Sequence, residues 1–161
     1  MGTDWIPNAV WDDIVSNVPI VSVDLVVHTP DGIVLGKRTN KPAKGEWFVP
    51  GGRVHKHERL TEAVDRIATE ELGVDTLNIQ ESLGAYEHIY ATGGADGSGK
   101  HYLANGFVVE TDSAVNKMVS DEQHSTIRGF APAELPTTLH EYTAAYLRDA
   151  ASISYSTDEQ V

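Results

Sequence analysis

Apolar residues recur along this chain in two rhythms, and each points to one kind of element. Between residues 60 and 72 they are Leu60, Ala63, Val64, Ile67, Ala68 and Leu72. At about 100° per residue these positions fall on one stripe, the pattern of a helix that covers a core with one face. Gly73 follows and is the expected residue to end it. Glu71 interrupts the stripe, projecting within about 20° of Leu60. A bare carboxylate buried there costs on the order of several kcal/mol, so the position calls for a cation.

Elsewhere the rhythm is that of strands. Residues 20–27 read Ile-Val-Ser-Val-Asp-Leu-Val-Val, and Thr29-Pro30-Asp31-Gly32 is a turn in which Pro presets φ and Gly accepts a positive one. Residues 33–36 return as the second arm of a hairpin. A short strand is expected over 46–49, stopped by Pro50 and followed by a Gly51-Gly52 turn. Further strands are expected over 77–90, 102–110 and 123–130. Residues 8–15 form a short helical candidate with Trp5 and Trp11 as anchors, and 139–150 a second amphipathic helix. The Gly/Ser-rich segment 91–100 is expected to be mobile and the polar tail 152–161 to fray. Strands interspersed with two main helices predict an α/β (α+β) architecture, a sandwich of helices around a mixed β-sheet. Residues 1–161 are read as one domain, with about 1–18 as an N-terminal extension.

Composition narrows the chemistry. There is no cysteine among the 161 residues, which removes disulfides, thiolate catalysis and Cys-based zinc sites together. Metal ligands then come from oxygens and imidazoles, and oxygen-rich sets favour Mg²⁺, Mn²⁺ or Ca²⁺. The net charge is -12, from 24 acidic and 12 basic residues, which argues against a nucleic-acid partner. No apolar run is long enough to span a membrane, and the first residues lack a secretory profile, so a cytoplasmic location is expected. The acidic excess reads either as solubility or as adaptation to high salt. If the substrate is anionic, the few cations must gather at the site.

Gly51 and Gly52 precede the 60–72 helix, and backbone without Cβ can approach a metal or phosphate closely. Glu70 stands one turn beyond Arg66, so it is either a second metal ligand beside Glu71 or an ion-pair partner of Arg66. Gly52, Glu58, Arg66, Glu70, Glu71, Gly73 and Val74 fit the spacing Gly-x5-Glu-x7-Arg-Glu-hydrophobic-x-Glu-Glu-x-Gly-hydrophobic. That window resembles the Nudix box, which implies the Nudix α/β/α fold and glutamates that hold Mg²⁺ against a diphosphate. One position departs: the glutamate expected after Arg66 is Ile67. An isoleucine neither holds metal nor activates water.

Residues 19–24, Gly36-Lys37-Arg38-Thr39-Asn40, residues 47–54, His88, His101-Tyr102 and Asp121-Glu122-Gln123-His124 extend the likeness. Over about residues 19–150 the chain is similar to the GDP-mannose mannosyl hydrolase family of the Nudix superfamily. That family also lacks the glutamate and cleaves the sugar C1–O bond with inversion. The resemblance implies Mg²⁺ (with Mn²⁺ as the substitute) held by the Gly51 carbonyl, Glu71 and Gln123, with Glu70 as an added candidate. It makes His124 the general base, puts Asp24 and His88 near the sugar and C1, Arg38, Arg53 and Arg66 among the arginines of the site and Tyr102 near the diphosphate; of the arginines, Arg38 is expected in direct contact with the leaving diphosphate. It also implies a homodimer. Each residue keeps a plainer reading: a loop histidine for His124, a structural acid for Asp24, a core histidine for His88, aromatic packing for Tyr102. A pyrophosphohydrolase acting at phosphorus and a non-catalytic nucleotide-sugar sensor stay open. Three features depart from the pattern: Glu70 at a position where that family can lack an acid, the aromatic-poor 91–100 segment, and Gly129 where a bulky residue is expected.

Overall fold

The computed structural model describes residues 5–39, 43–118 and 124–158, with the side chains of 124–125 and 153–158 outside the description. Its elements, in order, are α1 (Asn8–Asn17), β1 (Ile20–Thr29), β2 (Gly32–Arg38), β3 (Trp47–Phe48), β4 (Gly51–Arg53), α2 (Leu60–Leu72), β5 (Asn78–Tyr90), β6 (Lys100–Glu110), β7 (His124–Phe130) and α3 (Glu141–Asp158). No described helix is long and apolar enough to cross a membrane.

The strands make one seven-stranded sheet in which β3, β2, β1, β6 and β5 lie side by side, with β4 paired to β1 and β7 to β2. β1 and β6 run parallel from Ile20↔Tyr102 to His28↔Glu110, while the other pairings are antiparallel, so the sheet is mixed. β1 changes partner along its length. Its first half pairs with β4 (Ser22↔Arg53, Asp24↔Gly51) and its end pairs with β2 (His28↔Ile33). The sheet therefore forks just after Asp24.

Alternation along β1 divides the core into two. Val23, Leu25 and Val27 face α2, packing with Val64, Ile67 and Leu72. Val26 faces the other way, into a cluster with Leu35, Trp47, Tyr146 and Leu147 under α3. A strand covered on both faces reads as a near-continuous apolar run, and this one does. The result is the expected α/β/α sandwich.

Several boundaries differ from the sequence reading. Gly51-Gly52 is not a turn but the start of β4, because extended backbone against β1 satisfies its peptide groups there. α2 starts at Leu60 as expected, with the Glu62 carboxylate accepting the Arg59 N–H at 3.1 Å. Gly73 ends it in a left-handed conformation, φ 68°. The 152–161 tail is helical as far as Asp158. The 91–100 segment is internally bonded rather than open chain: Gly99 N–H donates to the Gly93 carbonyl at 2.9 Å, and Asp96 accepts from both the N–H and hydroxyl of Ser98. Gly129 is explained by close approach, since a Cβ there would strike the Asp31 carbonyl of the hairpin turn.

Candidate functional site

The face of β1 that carries Val26 also carries Ser22 and Asp24. Asp24 lies between two glycines, Gly51 on β4 and Gly106 on β6. A Cβ at Gly51 would overlap Asp24 Oδ1, and one at Gly106 would stand 2.7 Å from the Tyr146 ring. The missing side chains leave a trough, into which the ring of Tyr146 descends from α3. Its phenol donates to Asp24 Oδ2 at 2.8 Å. Burial pushes the Asp24 carboxyl up to about 6, and the Tyr146 bond acts in the opposite direction.

His88, on β5, is 6% exposed. Its ring stacks on Tyr142, with centroids 4.0 Å apart and planes 8° from parallel. Tyr142 is itself anchored, donating to the Ile89 carbonyl at 2.9 Å and accepting the Ile89 N–H at 3.0 Å. His88 Nδ1 stands 3.9 Å from Asp24 Oδ2, and Nε2 is buried without a hydrogen-bond partner among the described residues. Burial, aided by nearby His140, pushes the imidazole down to about 4. Asp24 is thus shifted toward its neutral acid and His88 toward its neutral base. Their contact is a meeting of polar groups rather than an ion pair.

A cleft of about 580 Å³ opens over this pair. Six residues predicted for the site line it: Asp24, Arg38, Gly51, Arg53, His88 and Tyr102. Among the described residues its cations are Arg38, Arg53 and Lys100, and its one acid is Asp24. A protein of charge -12 therefore keeps a basic cleft. Arg38 lies over the Phe48 ring at 5.8 Å, and Arg53 over Trp11 at 5.3 Å. Burial raises the Tyr102 phenol above its ordinary value, so it remains a hydrogen-bond donor at neutral pH. His124 pairs through its backbone with Arg38, beside an irregularity in the β2–β7 register, so that strand end lies next to a residue of the cleft. The His124 side chain and Gln123 lie outside the described residues.

Glu71 lies on α2, across the sheet from Asp24, with two further box acids beside it, Glu70 on α2 and Glu58 in the loop before it. Arg66 gathers them, Nε donating to Glu58 at 2.7 Å, Nη2 to Glu58 at 3.0 Å and to the Arg53 carbonyl at 2.7 Å, and Nη1 to Glu70 at 2.9 Å. Arg66 does not line the cleft. It ties α2 to the strand that carries Arg53, and Glu70 takes up the ion pair with Arg66. Ile67 is 1% exposed, its Cγ1 3.2 Å from where a Cβ of Gly52 would stand. Glu71 is half-buried rather than sealed in the stripe, because Leu60, one end of that stripe, is itself exposed.

Whether the residues suit a divalent ion turns on these donors. The bare backbone at Gly51 and the Glu71 carboxylate are hard oxygens of the kind Mg²⁺ takes. Among the described residues there is no group of three or more His, Asp or Glu placed to hold a metal. These two donors fit in kind, and Gln123, the third ligand expected from the sequence, lies outside the described residues.

Several lining residues were not singled out from the sequence. Tyr142 and Tyr146 stand four apart on α3 and read there as ordinary core. Their hydroxyls were the available signal, since a buried phenol needs a partner. Lys100, Tyr90 and Trp11 gave no comparable signal.

Comparison with known proteins agrees with this geometry. Low-salt glycan biosynthesis protein Agl8 of Haloferax volcanii is 49% identical over 146 residues, which cover 90% of this chain and 90% of that one. The ADP-ribose pyrophosphatase of Methanocaldococcus jannaschii is 40% identical over 68 residues, 42% of this chain and 40% of that one. A crystal structure of a MutT NUDIX hydrolase from Burkholderia pseudomallei matches with a TM-score of 0.65 at 29% identity, covering 81% of this chain and 97% of that one. Residues 18–150 match the NUDIX domain, and with the box, the sandwich and the cleft in place, the chain belongs to the Nudix hydrolase family.

Proposed function

We propose that this protein hydrolyses a nucleoside diphosphate sugar, GDP-mannose or GDP-glucose, by attack of water at the sugar C1 with inversion. The observation that carries this reading is the state of position 67. Where the Nudix box has a glutamate, an isoleucine is sealed into the core against Gly52. The neighbouring acids Glu58 and Glu70 are bound by Arg66. The titratable groups of the cleft stand instead on the opposite face of the sheet, around Asp24 and His88.

The chemistry assigned to each group follows from its surroundings. Arg38 and Arg53 receive the diphosphate, Arg38 by charge-assisted hydrogen bonds. Asp24, anionic at neutral pH, stabilises positive charge developing at C1. His88, neutral and with Nε2 unpartnered, bonds a sugar hydroxyl. His124 takes the proton of the attacking water. The water oxygen bonds to C1, the C1–O bond to the diphosphate breaks, and its electron pair leaves with the diphosphate. Mg²⁺ held by Gly51, Glu71 and Gln123 would neutralise charge on that leaving group, which then needs no protonation. In this reading Arg66 holds the site in place rather than touching substrate. The likeness to a protein named for glycan biosynthesis supports a sugar donor as substrate.

Hydrolysis in H₂¹⁸O tests the reading: label is expected in the free sugar, and label in a phosphate product overturns it. The second reading, cleavage at phosphorus, is favoured by the partial similarity to an ADP-ribose pyrophosphatase. It would place the label in phosphate. His124→Gln is expected to lower kcat by on the order of 10²-fold with the protein still folded.

A further inference from the structure

One wall of the cleft is built of residues that hydrolysis at C1 does not use. α1 contributes Trp11, and the adjoining segment contributes Thr92, Gly93, Gly94 and Lys100. The two pieces are joined. Val15 Cγ1 lies 3.3 Å from where a Cβ of Gly94 would stand. Gly93 and Gly94 have φ of 108° and 78°, and the space a Cβ would need is taken by the Lys100 stem and by Val15, so this part of the wall is tightly packed backbone. The stem of Lys100 runs 3.5 Å from the place of a Gly93 Cβ.

Trp11 is half-buried at this wall, with the Arg53 guanidinium fixed 5.3 Å over its ring. Arg53 lies two residues along β4 from Gly51, hence on the same face and about 7 Å away. The wall thus begins where the diphosphate site ends. A π-face for stacking with cations at the near end suits a nucleobase attached to a diphosphate. A sugar needs several polar side chains for its hydroxyls, and those lie at the Asp24–His88 end instead.

We propose that Trp11 and the 92–94 segment form a nucleobase subsite, with Arg53 and Lys100 at its junction with the diphosphate. This rests on the nucleoside diphosphate reading of the cleft. The test titrates the full chain and its Trp11→Leu and Trp11→Phe variants with GDP and with inorganic pyrophosphate, each with Mg²⁺. Affinity is followed by calorimetry and, for the wild type and Trp11→Phe, by tryptophan emission. Trp47 is buried and Trp5 lies outside the cleft lining, so quenching that disappears in Trp11→Phe reports the subsite.

GDP is expected to quench emission and pyrophosphate to leave it unchanged. Trp11→Leu is expected to weaken GDP on the order of 10-fold or more, with pyrophosphate affinity and melting temperature retained, and Trp11→Phe to keep most of the GDP affinity. Equal losses for GDP and pyrophosphate would mean that Trp11 acts only through Arg53, and would overturn the proposal. Wild-type GDP affinity in Trp11→Leu, or a wild type that binds pyrophosphate as tightly as GDP, would overturn it too. The labelled-water assay remains independent: GDP stacked on Trp11 with label found in phosphate supports the subsite while rejecting the reaction.

Discussion

Tyr146 donates its phenolic hydrogen to Asp24 at 2.8 Å, across a strand position that Gly106 keeps open. The bond opposes burial, which by itself drives the carboxyl toward its neutral form. Tyr146→Phe removes the donor and leaves the burial, so the Asp24 pKa rises further above about 6. If the anion is the working form, the acidic limb of the kcat profile moves to higher pH, and kcat at pH 7 falls by about tenfold. A limb that stays in place separates Tyr146 from Asp24 function. Gly106→Ala forces a Cβ against the ring and is expected to cost about 1–3 kcal/mol of stability, read from denaturant midpoints.

Asp24 and His88 give opposite signs of pH-dependent stability. The folded Asp24 value, about 6, lies above its ordinary 3.8, so its contribution is full below 3.8 and lost as pH rises through 6. The folded His88 value, about 4, lies below its ordinary 6.5, so its contribution is full above 6.5 and lost as pH falls through 4. Between pH 4 and 6 the two slopes offset each other. In EDTA, Asp24→Asn is expected to lose stability as pH falls from 6.5 to 4, and His88→Gln to gain it as pH falls from 6 to 3.8, each by about 1–3 kcal/mol. The same slope in both variants would contradict the assignment.

Arg66 is expected to matter for stability before it matters for substrate. Its guanidinium makes four hydrogen bonds to Glu58, Glu70 and the Arg53 carbonyl. Arg66→Ala leaves the mostly buried Glu58 carboxylate unpaired and is expected to cost about 2–4 kcal/mol. Arg66→Lys recovers little, because an ammonium cannot reproduce the two-pronged contact. Arg66 holds the Glu58 carboxyl below its ordinary value, so the pair's contribution is lost as pH falls through that lowered value. A variant with an unchanged melting temperature and a raised KM would make Arg66 a substrate contact instead.

The helix over 60–72 was legible to its last residue because a 3.6-residue apolar period and a terminal glycine agree. Asp24 was legible as one acid in an apolar run, though its two glycine neighbours were not, since strand register is absent from local sequence. The Gly51–Arg53 strand was missed because two glycines carry no strand propensity; only pairing with β1 makes them extended. Tyr142 and Tyr146 hid in an amphipathic helix, where stacking on His88 and bonding to Asp24 depend on contacts 54 and 122 positions away. The half-burial of Glu71 was missed because a helical wheel shows which face is apolar and not how far the sheet extends beneath it.

Salt should act on folding and binding with opposite signs. The net charge of -12 repels itself in the compact state, and molar KCl screens that repulsion. The melting temperature is therefore expected to rise with KCl. Arg38, Arg53 and Lys100 attract an anionic substrate into the cleft, and the same ions screen that attraction, so KM for the nucleotide sugar is expected to rise in the same titration. Lys100→Gln should flatten the salt dependence of KM while leaving that of the melting temperature as steep as before. Melting curves and initial rates over one KCl series read both effects, and a KM indifferent to salt would mean that the three cleft cations are engaged elsewhere than with the diphosphate.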